Sequence, residues 1–223
     1  GSRGIGRAIV EALLDDGWRV FFCSLNPDSV EEALGELAGR GAVAGQAIDV
    51  REQGEVDAFV AHVAKEAGRL DCLVNNAGRG HFAAVDELSG DQWREVLRTN
   101  LDGCFYAMRA AAPLMRRGEG GWIFNVASLA GKHPFAGGAA YNASKFGLIG
   151  LSEAAMLDLR HDGIRVAAIL PGSVDTAFRD RKERDWMLAP EDVARVVTDL
   201  LAFPDRALPS RVEIRPSRPP RKP

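Results

Sequence analysis

"GSRGIGRAIVEALLDDGWRVFFCSL", residues 1–25, decides the fold. A glycine-spaced turn runs into a stretch with helical spacing, which ends at the apolar run "WRVFFCSL" (18–25), read as a strand. Gly4 and Gly6 would let the backbone pass close to a pyrophosphate, whose charge is met by free N–H groups and the positive end of the helix dipole. Two glycines alone also fit a tight turn before an ordinary helix. The strand that follows supplies the strand–helix context that a phosphate-binding turn requires.

Outward from this stretch, apolar runs alternate with amphipathic ones to the end of the chain. Residues 41–50, 70–78, 121–128, 164–172 and 211–214 read as further strands, and 7–16, 28–40, 52–68, 89–117, 138–161 and 190–203 carry helical spacing. In the helix at 52–68, Val56, Phe59, Val60 and Val63 share one apolar face. Asp28, Ser89 and Pro190 sign helix starts. The strands are continuously apolar, as expected when helices cover both faces of a sheet. Strand–helix alternation then implies an α/β fold with a Rossmann-type, doubly wound parallel sheet. With no internal repeat and no dividing linker, 223 residues make one domain.

The net charge of −3 gives no electrostatic reason to expect nucleic acid or an anionic membrane as partner. No apolar run approaches the ~18 residues that span a bilayer. Cys23, Cys72 and Cys104 show neither a CxxC nor a zinc spacing, so no metal site is expected, and reduced thiols in a cytoplasmic protein are.

The chemistry concentrates in "NVASLAGKHPFAGGAAYNASKFGL", residues 125–148. Tyr141 and Lys145 are one helical turn apart and share a face. Ser128 ends the preceding strand, where a return loop can bring it beside the tyrosine. Asn100, in "RTNLDG", sits in the middle of the helix at 89–117, where a mediocre helix former invites a special explanation. A phenol with a reference pKa near 10 is a poor proton donor or acceptor at neutral pH until its anion is stabilised. An ammonium ~5 Å away, at an effective dielectric of ~20, contributes about 3 kcal/mol, or roughly two pKa units.

Together these residues resemble the short-chain dehydrogenase/reductase family, which uses Asn, Ser, Tyr and Lys in this order and spacing. The resemblance implies a hydride transfer between a nicotinamide cofactor and a carbonyl or secondary alcohol substrate. Tyr141 is then the acid/base, Lys145 lowers its pKa and holds the nicotinamide ribose, Ser128 orients the carbonyl and Asn100 anchors a water in the proton relay. The family's turn looks like T-G-x-x-x-G-x-G after a first strand, so Ser2, Arg3, Gly4, Ile5 and Gly6 would form its second half. The threonine, first glycine and first strand, roughly ten residues, are then absent. The expectation is a domain over residues 1–215 lacking its first strand, followed by a basic, proline-rich, solvated tail over 216–223.

The resemblance also places Asn76, Ala77 and Gly78 of "NNAG" on the adenosine side, and Asp49 with Val50 against the adenine. Pro171, Gly172, Val174 and Thr176 of "PGSVDT" would close over the nicotinamide. An NAD-preferring site carries an acid at the end of the second strand. Here that strand ends "CSLN" (23–26), so NADP (NADPH) is expected over NAD, with Arg3, Ser24 and Asn26 near the 2′-phosphate. Leu25 stands where many NADP-dependent members have arginine.

His81, Phe82, Lys132, His133, Phe135, Trp186 and Met187 mark the substrate end. The charged run at 179–184 reads as a solvated helix face. The compact members of the family (3-oxoacyl-carrier-protein reductases, sepiapterin-type reductases and hydroxy-acid dehydrogenases) are the nearest in pattern. They imply a homodimer or homotetramer formed through the helices at 89–117 and 138–161. The competing reading is a catalytically silent nucleotide-binding or scaffold protein of the same fold. An epimerase of the longer branch would need a larger C-terminal region.

Overall fold

A computed structural model describes residues 1–118, 120–178 and 185–220; the charged run at 179–184 and the end of the tail lie outside them. All six expected strands form: β1 Val20–Ser24, β2 Val43–Ala47, β3 Cys72–Asn75, β4 Gly121–Val126, β5 Ile164–Pro171 and β6 Arg211–Ile214. The helices are α1 Gly4–Asp15, α2 Pro27–Glu36, α3 Gln53–Ala67, α4 Gly90–Leu97, α5 Gly103–Arg117, α6 Ala139–Leu159 and α7 Pro190–Leu201. Every strand pair is parallel, and the order is β1-β2 in one sheet and β3-β4-β5-β6 in another. Among the described residues no strand joins β1 to β3. Between them runs an apolar slot of about 210 Å³, walled by Val10, Phe22, Val60, Val74 and Cys104 among others.

Burial on both faces follows from the strand sequences. Along β4, Trp122, Phe124 and Val126 pack with α1, α2 and α7, while Ile123 points into the opposite layer with Met108 and Met115 of α5 and Leu159 of α6. Adjacent side chains of a strand face opposite ways, so an unbroken apolar run is what two helical layers demand. Trp122 and Phe124 stack at 5.1 Å, and Ile123, Phe124, Ile164 and Ile169 have no exposed surface.

One group of buried polar residues ties the sheet to α6. Asn75 and Asn125 are register partners on β3 and β4. The Asn75 amide donates to Asn125 Oδ1 at 2.8 Å, Asn125 Nδ2 donates to Ser152 Oγ at 2.9 Å, and Ser152 donates to the Leu148 carbonyl at 2.6 Å. The chain of bonds fixes two strands and α6 to one another, because any slip leaves buried amides without partners.

Two helix starts and one helix interior differ from expectation. Asn26, not Asp28, caps α2: its Oδ1 accepts from the backbone of Asp28 and Ser29, and Pro27 takes the first helical position. Helix α1 begins at Gly4, so Ile5 and Gly6 belong to its first turn rather than to a preceding loop. The stretch 89–117 is helical from Gly90 to Arg117, with a π turn, Arg98–Asp102, set between α4 and α5. Ser89 does open α4, with a capping box completed by Gln92, and Pro190 opens α7.

Candidate active site

A cleft of about 940 Å³ runs along the carboxyl ends of the strands. At one end it is lined by Ser2, Arg3, Gly4 and Ile5, by Ser24 from β1, by Asp49 and Val50 after β2, and by Asn76, Ala77 and Gly78 after β3. At the other end stand Ser128, Tyr141 and Lys145, with Pro171, Gly172, Val174 and Thr176 after β5. Three positions expected here do not line it: Gly6, Asn26 and Asn100. Gly6 instead faces Asn76, whose Nδ2 would lie 2.6 Å from any Cβ added there.

The glycine end is shaped for an anion. Gly4 adopts a φ of 54°, and a Cβ on it would come within 3.3 Å of Thr176 Cγ2, so a side chain would block the cleft where its two walls meet. Arg3 at the N-cap makes no side-chain capping bond and no acid occupies the first turn, which leaves the opening amides of α1 to a ligand. Ser2 Oγ donates to Ser24 Oγ at 3.0 Å and lies 3.2 Å from Ser29 Oγ, a hydroxyl cluster at the end of β1 beside the exposed Arg3. Asn26 contributes less than expected, since its side-chain oxygen is committed to α2. The Asp49 carboxylate is also engaged: Arg51 grips it at 2.9 and 2.6 Å and holds it below the usual carboxylate range.

At the other end, close approach builds the geometry. After β4 a 3₁₀ turn, Leu129–Gly131, sits on α6 so tightly that a Cβ on Gly131 would lie 2.6 Å from the Lys145 carbonyl oxygen. Ser128 starts that turn and its hydroxyl accepts from the Ala130 amide at 3.1 Å. Burial pushes the Tyr141 phenol up, and the Ser128 hydroxyl beside it pulls the other way. Lys145 is only 4% exposed, and burial pushes its ammonium down to about 8.

Tyr141 and Lys145 share a face of α6 and line the same cleft. Lys145 Nζ donates to the Val126 carbonyl at 2.8 Å and lies 5.8 Å from the centroid of the Tyr141 ring.

Asn100 lies just behind the cleft, where a Cβ on Gly78 would come within 3.7 Å of its Oδ1. It has no exposed surface and lies in the π turn. Its Oδ1 accepts from the Arg79 amide at 2.7 Å, and its Nδ2 donates to the Arg79 carbonyl and to Ser144 Oγ, both at 2.9 Å. Both amide hydrogens are therefore taken. The side chain braces the loop after β3 against α6.

A family profile described as short chain dehydrogenase matches residues 1–186. The chain belongs to that family. A protein of Streptomyces coelicolor described as a ketoacyl reductase is 36% identical over 219 residues, 95% of this chain and 84% of that one. A 3beta-hydroxysteroid dehydrogenase of Mediterraneibacter gnavus is 37% identical over 86% of this chain and 70% of its own. Among solved structures, a metagenomic short-chain oxidoreductase in complex with NADP superposes with a TM-score of 0.87 at 35% identity, covering 98% of this chain and 94% of that one. As a member of this family the chain is an NAD(P)-dependent oxidoreductase acting on CH–OH or C=O groups. The bare Gly4 turn, the uncapped start of α1 and the acid-free end of β1 all suit a nicotinamide dinucleotide.

Several residues of this short-chain dehydrogenase escape a reading of the sequence alone. Ser144, fully buried, accepts from Asn100 and donates to the Tyr141 carbonyl at 2.8 Å, tying the π turn to the first turn of α6. Arg215, Pro216 and Pro219 line the cleft, and Pro216 Cδ would meet a Cβ on Gly172 at 3.0 Å. Pro216 and Pro219 of the tail thus wall the site, while residues 217–220 remain exposed. His81 pairs with Glu95 at 2.6 Å and stays out of the cleft, whereas His133 lines it. No described helix is long and apolar enough to cross a membrane, and no described cluster of His, Cys, Asp and Glu could hold a metal ion.

Proposed function

We propose that the chain is an NADPH-dependent reductase of ketones, with Tyr141 as the general acid that protonates the carbonyl oxygen. One observation carries the reading: Ser128, Tyr141 and Lys145 stand at one end of a single cleft whose other end is the Gly4 turn and the acid-free end of β1. The dihydronicotinamide supplies the hydride when bound. The protein's own part is to orient, exclude water and move one proton. Ser128 Oγ donates to the substrate oxygen as negative charge gathers there, and Tyr141 Oη delivers the proton. Lys145, charged at neutral pH, holds the ribose hydroxyls and adds its field to the phenolate side of the balance once a ligand draws it from Val126.

Phosphate and adenosine contacts fall to Ser2, Arg3, Gly4, Ile5, Ser24, Val50, Asn76, Ala77 and Gly78. The preference for NADP rests on Arg3 and the Ser2–Ser24–Ser29 hydroxyls, with no carboxylate at the end of β1 to repel a 2′-phosphate.

The assay is NADPH consumption against a carbonyl panel, with NADH in parallel. NADPH should give the higher kcat/KM, and Tyr141→Phe should lower kcat by about 10²–10⁴-fold. An undiminished rate in that variant, or a clear NADH preference, would overturn the corresponding half of the proposal. Phe105, Phe146 and Leu157 leave large apolar surfaces exposed on α5 and α6. They support a homodimer or homotetramer joined through those helices, which sedimentation velocity reads directly. Free thiols at Cys23, Cys72 and Cys104 support a cytoplasmic location.

A further inference from the structure

We propose that the substrate presents its carbonyl on a flat, apolar ring system rather than on a straight chain. The inference rests on Tyr141 being the acid that faces the carbonyl. Three phenyl rings from three separate loops converge on it: Phe82 after β3, Phe135 before α6 and Phe178 after β5. Their centroids lie 5.8, 6.4 and 5.6 Å from that of the phenol. Phe82 also meets Phe135 at 5.9 Å and Phe178 at 6.4 Å, so the four rings form one patch. None of the three belongs to a core cluster. All three line the cleft, and Phe178 keeps 44% of its surface exposed.

Rings brought together from separate loops at the reacting group, and left partly open, have no packing task that an aliphatic residue would not serve. What they add is faces and edges. Phe178 lies tilted at 50° to the phenol and Phe82 stands at 61° to it, so the patch offers both surfaces. A flat ring system can meet these by offset or edge contact at centroid distances of 4.5–7 Å. It also freezes no internal rotors on binding, whereas a straight chain of equal carbon number loses several.

The test compares kcat/KM, at saturating NADPH, for β-tetralone, its saturated counterpart β-decalone and the straight-chain methyl ketone of equal carbon number. The wild-type protein is set beside Phe178→Ala and Phe82→Leu. We expect β-tetralone to exceed the straight-chain ketone by about ten-fold or more, with β-decalone between them. Each variant should lower that ratio by about 2- to 12-fold, the share of one aromatic pair. NADPH binding, followed by quenching of protein fluorescence, identifies folded variants, and Phe178→Leu replaces Phe178→Ala if the latter does not bind. A wild-type ratio at or below one overturns the ring-system assignment, and so does a ratio that the variants leave unchanged. Silence with all three ketones in a protein that still reduces an acetoacetyl thioester overturns the assignment alone. Silence with every carbonyl overturns the reductase reading beneath it as well.

Discussion

Replacing Lys145 by methionine should make the protein more stable at neutral pH while abolishing turnover. The ammonium is almost wholly buried, and its pKa falls from 10.5 to about 8 through desolvation. That drop corresponds to about 3 kcal/mol of native-state penalty on the charged form. The sign follows from proton binding. Between about pH 8 and the unfolded value the unfolded chain binds the proton that the native state rejects, so stability rises with pH across that window. Below it the full penalty applies. Methionine removes the charge but leaves the Val126 carbonyl without its donor, a loss of about 1 kcal/mol that does not depend on pH. Lys145→Met should therefore gain about 2 kcal/mol at pH 7, and by about pH 10 the gain should vanish or reverse. Urea denaturation of both proteins at the two pH values measures the difference. An identical gap at both would refute the reasoning, because only a charge-dependent penalty closes as the lysine deprotonates.

Three further outcomes follow from the same geometry. Asn125→Leu strands the Asn75 amide in the core and removes the donor to Ser152 Oγ, and should lower stability by about 2–4 kcal/mol, read as a lower urea midpoint with an unchanged slope. Ser144→Ala cuts the link between Asn100 and the Tyr141 carbonyl. It should reduce kcat by about ten-fold with the NADPH KM within about two-fold, and an unchanged kcat would show that the tyrosine needs no such brace. Leu25→Asp places a carboxylate on an exposed position beside Ser24, and the ratio of kcat/KM for NADPH over NADH should fall by at least about ten-fold.

How far the sequence discloses this site depends on whether a signal is local. The strands were legible because β4 and β5 are buried on both faces, and burial of that kind leaves an unbroken apolar run. The cap of α2 was legible too, but through Pro27 rather than through the acid: proline favours the first helical position, which makes the residue before it, Asn26, the cap. Asn100 stood out as a poor helix former in a helical stretch, and the π turn is the physical form of that anomaly.

What the anomaly is for could not be read, because its partners come from elsewhere. Arg79 lies on the loop after β3, 21 residues before Asn100, and Ser144 lies 44 residues after it. The same holds for Lys145. Its spacing from Tyr141 sets a shared helical face, yet the atom it grips is the Val126 carbonyl, 19 residues away across a turn that only Gly131 allows to come so near. The buried Asn75–Asn125–Ser152 chain is invisible for a like reason: each residue looks like a stray polar group until the strand register sets two of them side by side. Periodicity and capping are decided within a few residues, whereas a buried polar group is decided by whatever segment arrives to satisfy it. In this protein those long-range partners hold Tyr141, so the tyrosine's position belongs to the whole fold even though its motif belongs to one helix.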